Sequence, residues 1–482
     1  MPFIGTVLNK EIFPVKENMM EDTIAAISTA FGKGGVALIR VSGERAIAVA
    51  ELMFRPASGK RLSDYDSARA VYGEIISDGE RIDDGVCTIY HAPHSYTGED
   101  TAEISCHGGI LITSKVLETA LCSGARQAGA GEFTRRAFTN GKLSLSQTEA
   151  VGMIIDAVTD EQLRLASSQR RGNLRKKCGE LYERLKKVVT SVCAGIDFPD
   201  EDLTLMSDDE ILEELHEIIF ELDRLRSSYS AVRAASEGLR CVIAGRPNTG
   251  KSSLLNLLAG RDRAIVTDIA GTTRDTIEET VPVGKVLLRL CDTAGIRETA
   301  DVVEKIGVDR AISELSGAEL ILAVFDTSEG LSGEDSNIVS RLKDTDCVKI
   351  AVLNKTDKVG KDSVETIERE AISSGVFERV VKLSAKTGDG IDTLRAEIES
   401  LYAGGEINLD TEAVLLNARQ NSAAEKALRC VEIAVSGMKS GMSADMIDFE
   451  LEEALSELGE LDGRRVSEEI VNDIFHHFCV GK

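Results

Sequence analysis

The run Gly245-Arg-Pro-Asn-Thr-Gly-Lys-Ser252 has the residue types and spacing to hold a chain of phosphates. It fits G-x-x-x-x-G-K-[ST], in which glycines let backbone N–H groups close on the β- and γ-phosphates. Apolar Cys241-Val-Ile-Ala precedes it and Ser253-Leu-Leu-Asn follows, so the stretch reads as strand, tight loop and helix. A helix N-terminus at this point favours an anion. Lys251 brings positive charge to the β/γ-phosphates, and the Ser252 hydroxyl can ligate Mg²⁺. Asn248, Thr249, Gly250 and Ser253 complete the cradle.

Downstream signals name the nucleotide. Arg289-Leu-Cys-Asp-Thr-Ala-Gly295 ends an apolar strand in Asp292, a carboxylate that can hold Mg²⁺ through water. Thr293 and Ala294 lead to Gly295, whose N–H can meet a γ-phosphate. Thr272 and Thr273 lie between these motifs and can present a hydroxyl, Thr273 in particular, to Mg²⁺. Ile350-Ala-Val-Leu-Asn-Lys-Thr-Asp357 supplies Asn354, Lys355 and Asp357. A carboxylate at Asp357 accepts from guanine N1–H and the 2-amino group together, a donor pair adenine lacks. Lys355 can cover the base with its stem. Ser384, Ala385 and Lys386 follow a further apolar strand and close the pocket from the other side. Five motifs in this order, each at a strand end, predict a GTP-binding domain over 231–403, with a mostly parallel sheet and ligands at the strand C-terminal ends. Where Ras-type GTPases carry a water-orienting glutamine after Asp-Thr-Ala-Gly, this chain has Ile296. Another group must place the water, and a cation must offset the transition-state charge. Arg274, Arg297, Arg310 and Glu304 are the nearby candidates, and spacing does not choose among them.

The elements around this site follow from composition and periodicity. The 482 residues suffice for several domains, and the net charge of −25 argues against a generally basic nucleic-acid binder. A local exception runs from Arg164 to Lys187, where nine cations face only Glu180 and Glu183; it is either a solvated helix face or an RNA contact. Ten cysteines without a C-x-x-C pair suit a reducing cytosol and no structural zinc. No apolar stretch approaches the ~18 residues that span a membrane, which points to a cytoplasmic protein with no membrane partner. Residues 1–19 read as a flexible leader, with Met19 or Met20 beginning the folded part. A separate α+β domain is expected over 20–142, with strands at 35–41, 85–90 and 101–106, a helix at 111–121 and a glycine-rich loop at 124–131. One long amphipathic helical stretch is expected from 147 to 195 and a second helix over 208–236, whose Ile211, Leu215, Ile218, Leu222 and Leu225 form one stripe. Helix resumes from about 411 to 478. Neither helical segment reads as an independent domain, so 143–230 is expected to pack against 404–482, with the GTP domain inserted between them.

Long motifs outside the GTP domain then become informative: Asp22-Thr-Ile-Ala-Ala-Ile, Gly34-Gly-Val-Ala-Leu-Ile-Arg40, Tyr96-Thr-Gly-Glu-Asp-Thr-Ala-Glu-Ile-Ser-Cys-His-Gly-Gly109, Gly131-Glu-Phe-Thr-Arg-Arg-Ala-Phe-Thr-Asn-Gly-Lys-Leu143 and the terminal Phe478-Cys-Val-Gly-Lys482. With these, the sequence resembles the tRNA-modification GTPases called MnmE or TrmE, over residues 20–482. The resemblance implies a multidomain α/β chain: an N-terminal α+β domain that binds tetrahydrofolate and forms a homodimer, an all-α domain, and an inserted Ras-like P-loop domain. It implies that the chain works with the flavoprotein MnmG, as a heterotetramer, on certain tRNAs. Together they would add an aminomethyl or carboxymethylaminomethyl group to C5 of the wobble uridine, using a one-carbon unit from 5,10-methylene- or 5-formyl-tetrahydrofolate.

Carried onto this chain, the resemblance assigns folate contacts to Arg40, Glu103, Lys142 and Lys482. It assigns a potassium site to Asn248, Thr267, Ile269 and Thr272, and water orientation to Glu304. K⁺ held there would replace an arginine finger, which answers the missing glutamine. Cys479, in the terminal C-x-G-K motif, is either a thiolate nucleophile or a structural thiol beside the folate. A ribosomal-RNA-binding GTPase of the Era type would explain the middle domain only, and would leave the terminal motifs idle.

Overall fold

The computed structural model describes residues 22–198, 205–260, 279–290, 317–402, 409, 412–476 and 478–481. It divides into two compact units, Met1–Ile155 with Gln169–Ile218 and Lys426–Lys482, and Asp156–Ser168 with Ile219–Glu425.

The first unit begins with β1 Ile24–Ile27, β2 Val36–Ser42, α1 Ala46–Met53, β3 Phe54–Pro56, β4 Arg69–Ser77, β5 Glu80–Tyr90, β6 Thr101–His107, α2 Ile110–Cys122, β7 Arg126–Gln127 and α3 Glu132–Thr139. The strands form a sheet in the order β3-β4-β5-β6-β2-β1-β7, antiparallel except for the β1–β7 pair. Alternation along β2 sends Ala37, Ile39 and Val41 into a core with Ile75, Ile89, Ile104, Met53 and Val116. The intervening positions, Arg40 among them, therefore face away from that core. β7 corrects the expectation of a plain loop over 124–131: Ile24 and Ala25 of β1 pair with Arg126 and Gln127. That pairing was not readable locally, because the partner strand lies a hundred residues earlier.

Helices follow: α4 Leu145–Asp156, α5 Asp160–Arg170, α6 Asn173–Asp197 and α7 Asp208–Ser236. The expected single stretch over 147–195 is thus three helices. Thr159 starts α5 as a Thr-x-x-Gln cap: its hydroxyl accepts from Gln162 N–H at 3.1 Å, while the Gln162 amide oxygen accepts from Val158 N–H at 3.0 Å. Gly172, at φ 89°, turns the chain between α5 and α6 in the left-handed region. α7 has the expected bounds, and Ile211, Leu215, Ile218, Leu222 and Leu225 are all buried.

The second unit centres on β8 Leu239–Ala244, α8 Lys251–Ala259, β9 Glu279–Val283, β10 Val286–Leu290, β11 Leu320–Asp326, α9 Gly333–Leu342, β12 Val348–Asn354, α10 Lys361–Ser373, β13 Arg379–Lys382 and α11 Ile391–Tyr402. Its sheet runs β13-β12-β11-β8-β10-β9, parallel except for the β9–β10 hairpin. β11 is buried at every residue, as a central parallel strand covered on both faces must be. Pro282 sits on β9 at the sheet edge, where its missing N–H costs no ladder bond.

α12 Ala418–Ser440, α13 Ala444–Asp462 and α14 Glu468–His476 complete the chain. Helix begins at 418, not 411, because Asn417 caps α12: its side chain accepts from Gln420 N–H at 2.9 Å, and the Gln420 side chain accepts from Leu416 N–H at 2.8 Å. Segments from both sides of 231–403 meet within each unit. In the first, α6 packs against α13; Leu174, Leu181 and Leu185 are buried on the one helix and Leu451 and Leu458 on the other. In the second, Leu415 N–H donates to Ser228 Oγ at 3.1 Å and Ala418 N–H to Glu237 Oε1 at 2.7 Å. No helix among the described residues is long and apolar enough to cross a membrane.

Candidate functional site

The phosphate loop connects β8 to α8 as the spacing predicts. Gly245 (φ 154°), Asn248 (φ 61°) and Gly250 (φ 98°) take positive φ. Gly250 has no alternative: a Cβ there would stand 2.2 Å from Asn354 Nδ2. Asn354 lies across the sheet, and its Nδ2 donates to Thr249 O at 2.8 Å. Its Oδ1 accepts from Lys355 N–H at 2.8 Å and Ala385 N–H at 2.9 Å. One side chain therefore ties together the phosphate loop and the two loops expected to hold the base. Thr249 Oγ1 donates to Arg246 O at 2.9 Å, and Lys251 Nζ to Gly245 O and Arg246 O at 2.8 and 2.7 Å. Ser252 and Ser253 stand in the first turn of α8, after the glycine N-cap, so their backbone dipoles converge on the loop.

On the base side, Ser384 Oγ donates to Asp357 Oδ1 at 2.7 Å. That bond holds the Asp357 carboxyl below its ordinary value, ionised and oriented to accept from paired N–H donors. Lys355 sits at φ 64° and carries its ammonium to Asn248 O at 2.7 Å and Asp326 Oδ2 at 2.5 Å. Burial pushes the Asp326 carboxyl up, but the Lys355 and Ser328 bonds outweigh it and hold it below the ordinary value. Lys386 contributes its charge beside Asp357. Sequence reasoning missed Asp326 and Arg246. Arg246 is clamped by Asp335 at 2.8 Å, the residue that also closes the Ser332 capping box of α9. The available signal was the polar Asp326-Thr-Ser that ends a wholly apolar strand.

A second constellation lies on the sheet of the first unit, on the face away from its core. Arg40 and Glu103 are directly opposed on β2 and β6, and Arg40 Nε meets Glu103 Oε1 at 2.8 Å. Their side chains are only 15% and 20% exposed, so neither is the open surface charge that a strand residue commonly is. The guanidinium carbon lies 5.4 Å from the Tyr96 ring centre and 5.5 Å from that of Phe133. Tyr96 Oη and Thr134 Oγ1 share a hydrogen bond of 3.0 Å, which fixes the two aromatic carriers to each other. Burial and the nearby Glu103 carboxylate raise the Tyr90 phenol. Lys142 donates to Pro93 O at 2.9 Å, and its stem lies against Gly98, so it flanks the loop that carries Tyr96. The sequence does not mark either aromatic as part of a site, because a lone Tyr or Phe reads as core.

The C-terminal motif reaches this same domain. Ala130 and Val480 form a β-bridge, Gly131 N–H donates to Cys479 O at 3.4 Å, and Ser28 Oγ donates to Gly481 O at 3.0 Å. Gly481 (φ 99°) lies so close to Ile27 O that a Cβ would stand 2.0 Å from it. Cys479 is exposed, whereas the Cys193 thiol is pushed up to about 12 by burial and by Asp448. Thr267, Ile269, Thr272, Thr273, Asp292, Thr293, Ala294, Gly295, Glu304 and Lys482 lie outside the described residues.

Comparison with known proteins bears on both constellations. Residues 23–142 match the family model of the GTP-binding protein TrmE N-terminus, and residues 145–479 that of the MnmE helical domain. The chain is 41% identical over 464 residues to the tRNA modification GTPase MnmE of Clostridioides difficile, covering 96% of this chain and 100% of the relative. It is 42% identical over 467 residues to that of Moorella thermoacetica, with coverage of 96% and 100%. Among solved structures, an Aquifex aeolicus Era variant bound to GDP and aluminium fluoride is 30% identical over 40% of this chain and 66% of that one, with a TM-score of 0.28. The G domain of a Thermotoga maritima FeoB iron transporter is 25% identical over 34% and 98%, with a TM-score of 0.25.

Proposed function

The chain belongs to the MnmE family of tRNA modification GTPases, and we propose that its GTP hydrolysis drives a folate-dependent modification at C5 of the wobble uridine in certain tRNAs. The observation that carries the folate half is the Arg40–Glu103 pair set against two aromatic rings. A pterin offers a flat face for stacking and an amide-like edge for a carboxylate and a guanidinium. The residues therefore fit such a group, with Lys142 and Lys482 as cations for its glutamate tail. When bound, a tetrahydrofolate supplies the one-carbon unit. Cys479 is assigned as the nucleophile of this chemistry, because its backbone is pinned beside Ala130–Gly131 while its thiol stays exposed.

The nucleotide half rests on the loop geometry. Lys251, Ser252, Ser253, Thr249 and the backbone from Asn248 to Gly250 would hold the phosphates, with Thr293, Ala294 and Gly295 completing the γ-phosphate side. Asn354, Lys355, Asp357, Ser384, Ala385 and Lys386 would hold guanine. Ser252 and Thr273 would hold Mg²⁺, with Asp292 behind them. Asn248, Thr267, Ile269 and Thr272 would hold K⁺, whose positive charge serves where Ile296 replaces a glutamine. The Asn248 side chain is exposed at the loop's left-handed turn, which suits a ligand role. Glu304 would orient the attacking water.

The domains are assigned as 20–142, 143–230 with 404–482, and 231–403, after a leader of 1–19. A homodimer is supported by the exposed Phe31, Val36 and Leu111 of the N-terminal domain, 71%, 65% and 73% accessible. We assign the flavoprotein MnmG as second partner, in a cytoplasmic complex. The test is mass analysis of tRNA nucleosides from cells lacking this chain. The 5-aminomethyl-type uridines are expected to disappear and to return with the wild-type chain but not with Gly250→Ala; unchanged nucleosides overturn the reading.

A further inference from the structure

The chain is strongly acidic, yet the first unit carries a dense positive edge. Residues 170–177 hold Arg170, Arg171, Arg175, Lys176 and Lys177, and no acidic residue occurs from 162 to 179. The structure adds two cations from far along the chain, Arg464 and Arg465 in the α13–α14 turn. The Arg464 guanidinium lies 4.7 Å over the Tyr182 ring of α6, within 3.5 Å of Glu183 and 2.9 Å of Asp462. The Arg175 charge also reaches Asp462. The edge is fixed rather than loose. Gln147 of α4 donates to Arg170 O at 3.0 Å and faces Arg175 Nη1 at 3.5 Å, so it braces the left-handed turn at Gly172. Other cations of the same sequence run are used differently: Arg184 is paired with Glu214 and Glu217, and Arg164 with Glu161. Glu180 and Glu183 of α6 and the buried Asp462 are acidic groups at the edge among the described residues.

We propose that this edge, built around Arg170, Arg175, Lys176 and Arg465, with Arg464 anchoring the turn on α6, binds the phosphate backbone of the substrate RNA; this rests on the tRNA-modification reading above. Arginine forks match phosphate oxygens bidentately, and the local excess of exposed cations gives this edge a positive potential in a chain whose net charge is −25. Its placement fits the chemistry. Gly463 packs on Leu145 and Phe138, and Phe475 lies 6.5 Å from Phe138, so the turn and α14 rest on the N-terminal domain. From the turn, α14 leads over nine residues, about 13 Å, to the pinned tail that carries Cys479. Phosphates flanking the reactive uridine would lie on the edge while the base reaches Cys479 and Arg40.

The test is salt-dependent binding of an unmodified tRNA transcript to the full-length protein, followed by fluorescence anisotropy. The triple reversal Arg170→Glu, Lys176→Glu and Arg465→Glu is expected to weaken binding by about tenfold or more and to make the log–log salt slope shallower by about two to three. The charge-keeping variant Arg170→Lys, Lys176→Arg and Arg465→Lys is expected to keep the wild-type salt slope, because the number of phosphates neutralised is unchanged. Circular dichroism checks folding, and the single Lys176→Glu variant, expected to lower the slope by about one, serves if the triple fails to fold. Wild-type binding that the reversals leave unaltered overturns the proposed edge while the modification reading stands. If the wild type binds no tRNA and the nucleosides of deficient cells are also unchanged, both fall.

Discussion

Arg40 is where a small change should say most. A largely buried guanidinium is tolerable only when paired and stacked, and here Glu103, Tyr96 and Phe133 supply both conditions. Replacing it leaves Glu103 a buried carboxylate without its partner and opens the space between the rings. Arg40→Ala is therefore expected to weaken 5-formyltetrahydrofolate binding by about tenfold or more in isothermal titration, through the loss of a charge-assisted contact. Absence of any heat with the wild-type protein would remove the folate assignment altogether. Gly250 illustrates a different residue-scale constraint, since the contact between Asn354 and the phosphate loop leaves no room for even a methyl group.

At the scale of elements, α3 is anchored by a charge network. Arg136, 4% exposed, reaches Asp22 at 3.0 Å, Glu99 at 3.1 Å and Glu132 at 3.1 Å, while Arg126 pairs with Asp22 and Glu132. The helix also carries Phe133 to the rings around Arg40, so the network positions part of the candidate site. Burial pushes the Glu132 carboxyl up, but the bonds from Arg126, Gly129 N–H and Arg136 outweigh it and bring it down to about 2 from an ordinary 4.5. A carboxyl lowered on folding stabilises fully above its unfolded value and loses that contribution as pH falls through its folded value. Glu132→Gln is expected to cost about 3 kcal/mol at neutral pH by removing a buried negative charge from two guanidinium groups that keep only Asp22 and Glu99 as partners. In thermal melts the deficit should hold down to the ordinary value and shrink between about pH 4.5 and pH 2. A deficit independent of pH over that window would mean that packing, not charge, holds α3.

At the scale of the molecule, the nucleotide domain interrupts a helical framework whose two halves meet in both units. The chain passes from α7 directly into β8 and from α11 on towards α12, so the nucleotide domain is joined to helical chain at both ends. The K⁺ site proposed above would make hydrolysis sensitive to the ion. GTP hydrolysis by the full chain is expected to run about tenfold faster in K⁺ than in Na⁺ at equal ionic strength, the worth of roughly one charge interaction in the transition state. Equal rates would take the ion out of the mechanism and return the burden to Arg274, Arg297 or Arg310.

The sequence by itself determined the nucleotide cradle, because its chemistry needs short, local runs at strand ends: Gly245 to Ser252, Asn354 to Asp357 and Ser384 to Lys386 all stand where periodicity puts them. It also determined α7, whose stripe is a purely local signal. Helix breaks at Thr159 and Gly172, and the edge strand at Arg126, were hidden because caps and strand partners override periodicity. Only the tertiary structure decided the rest. Arg40 needs Glu103 from a strand more than sixty residues away and two rings from further segments, and Arg464 joins the 170–177 cations across almost three hundred. Cross-strand register and helix packing create such neighbours, and neither is written in the spacing of any one segment.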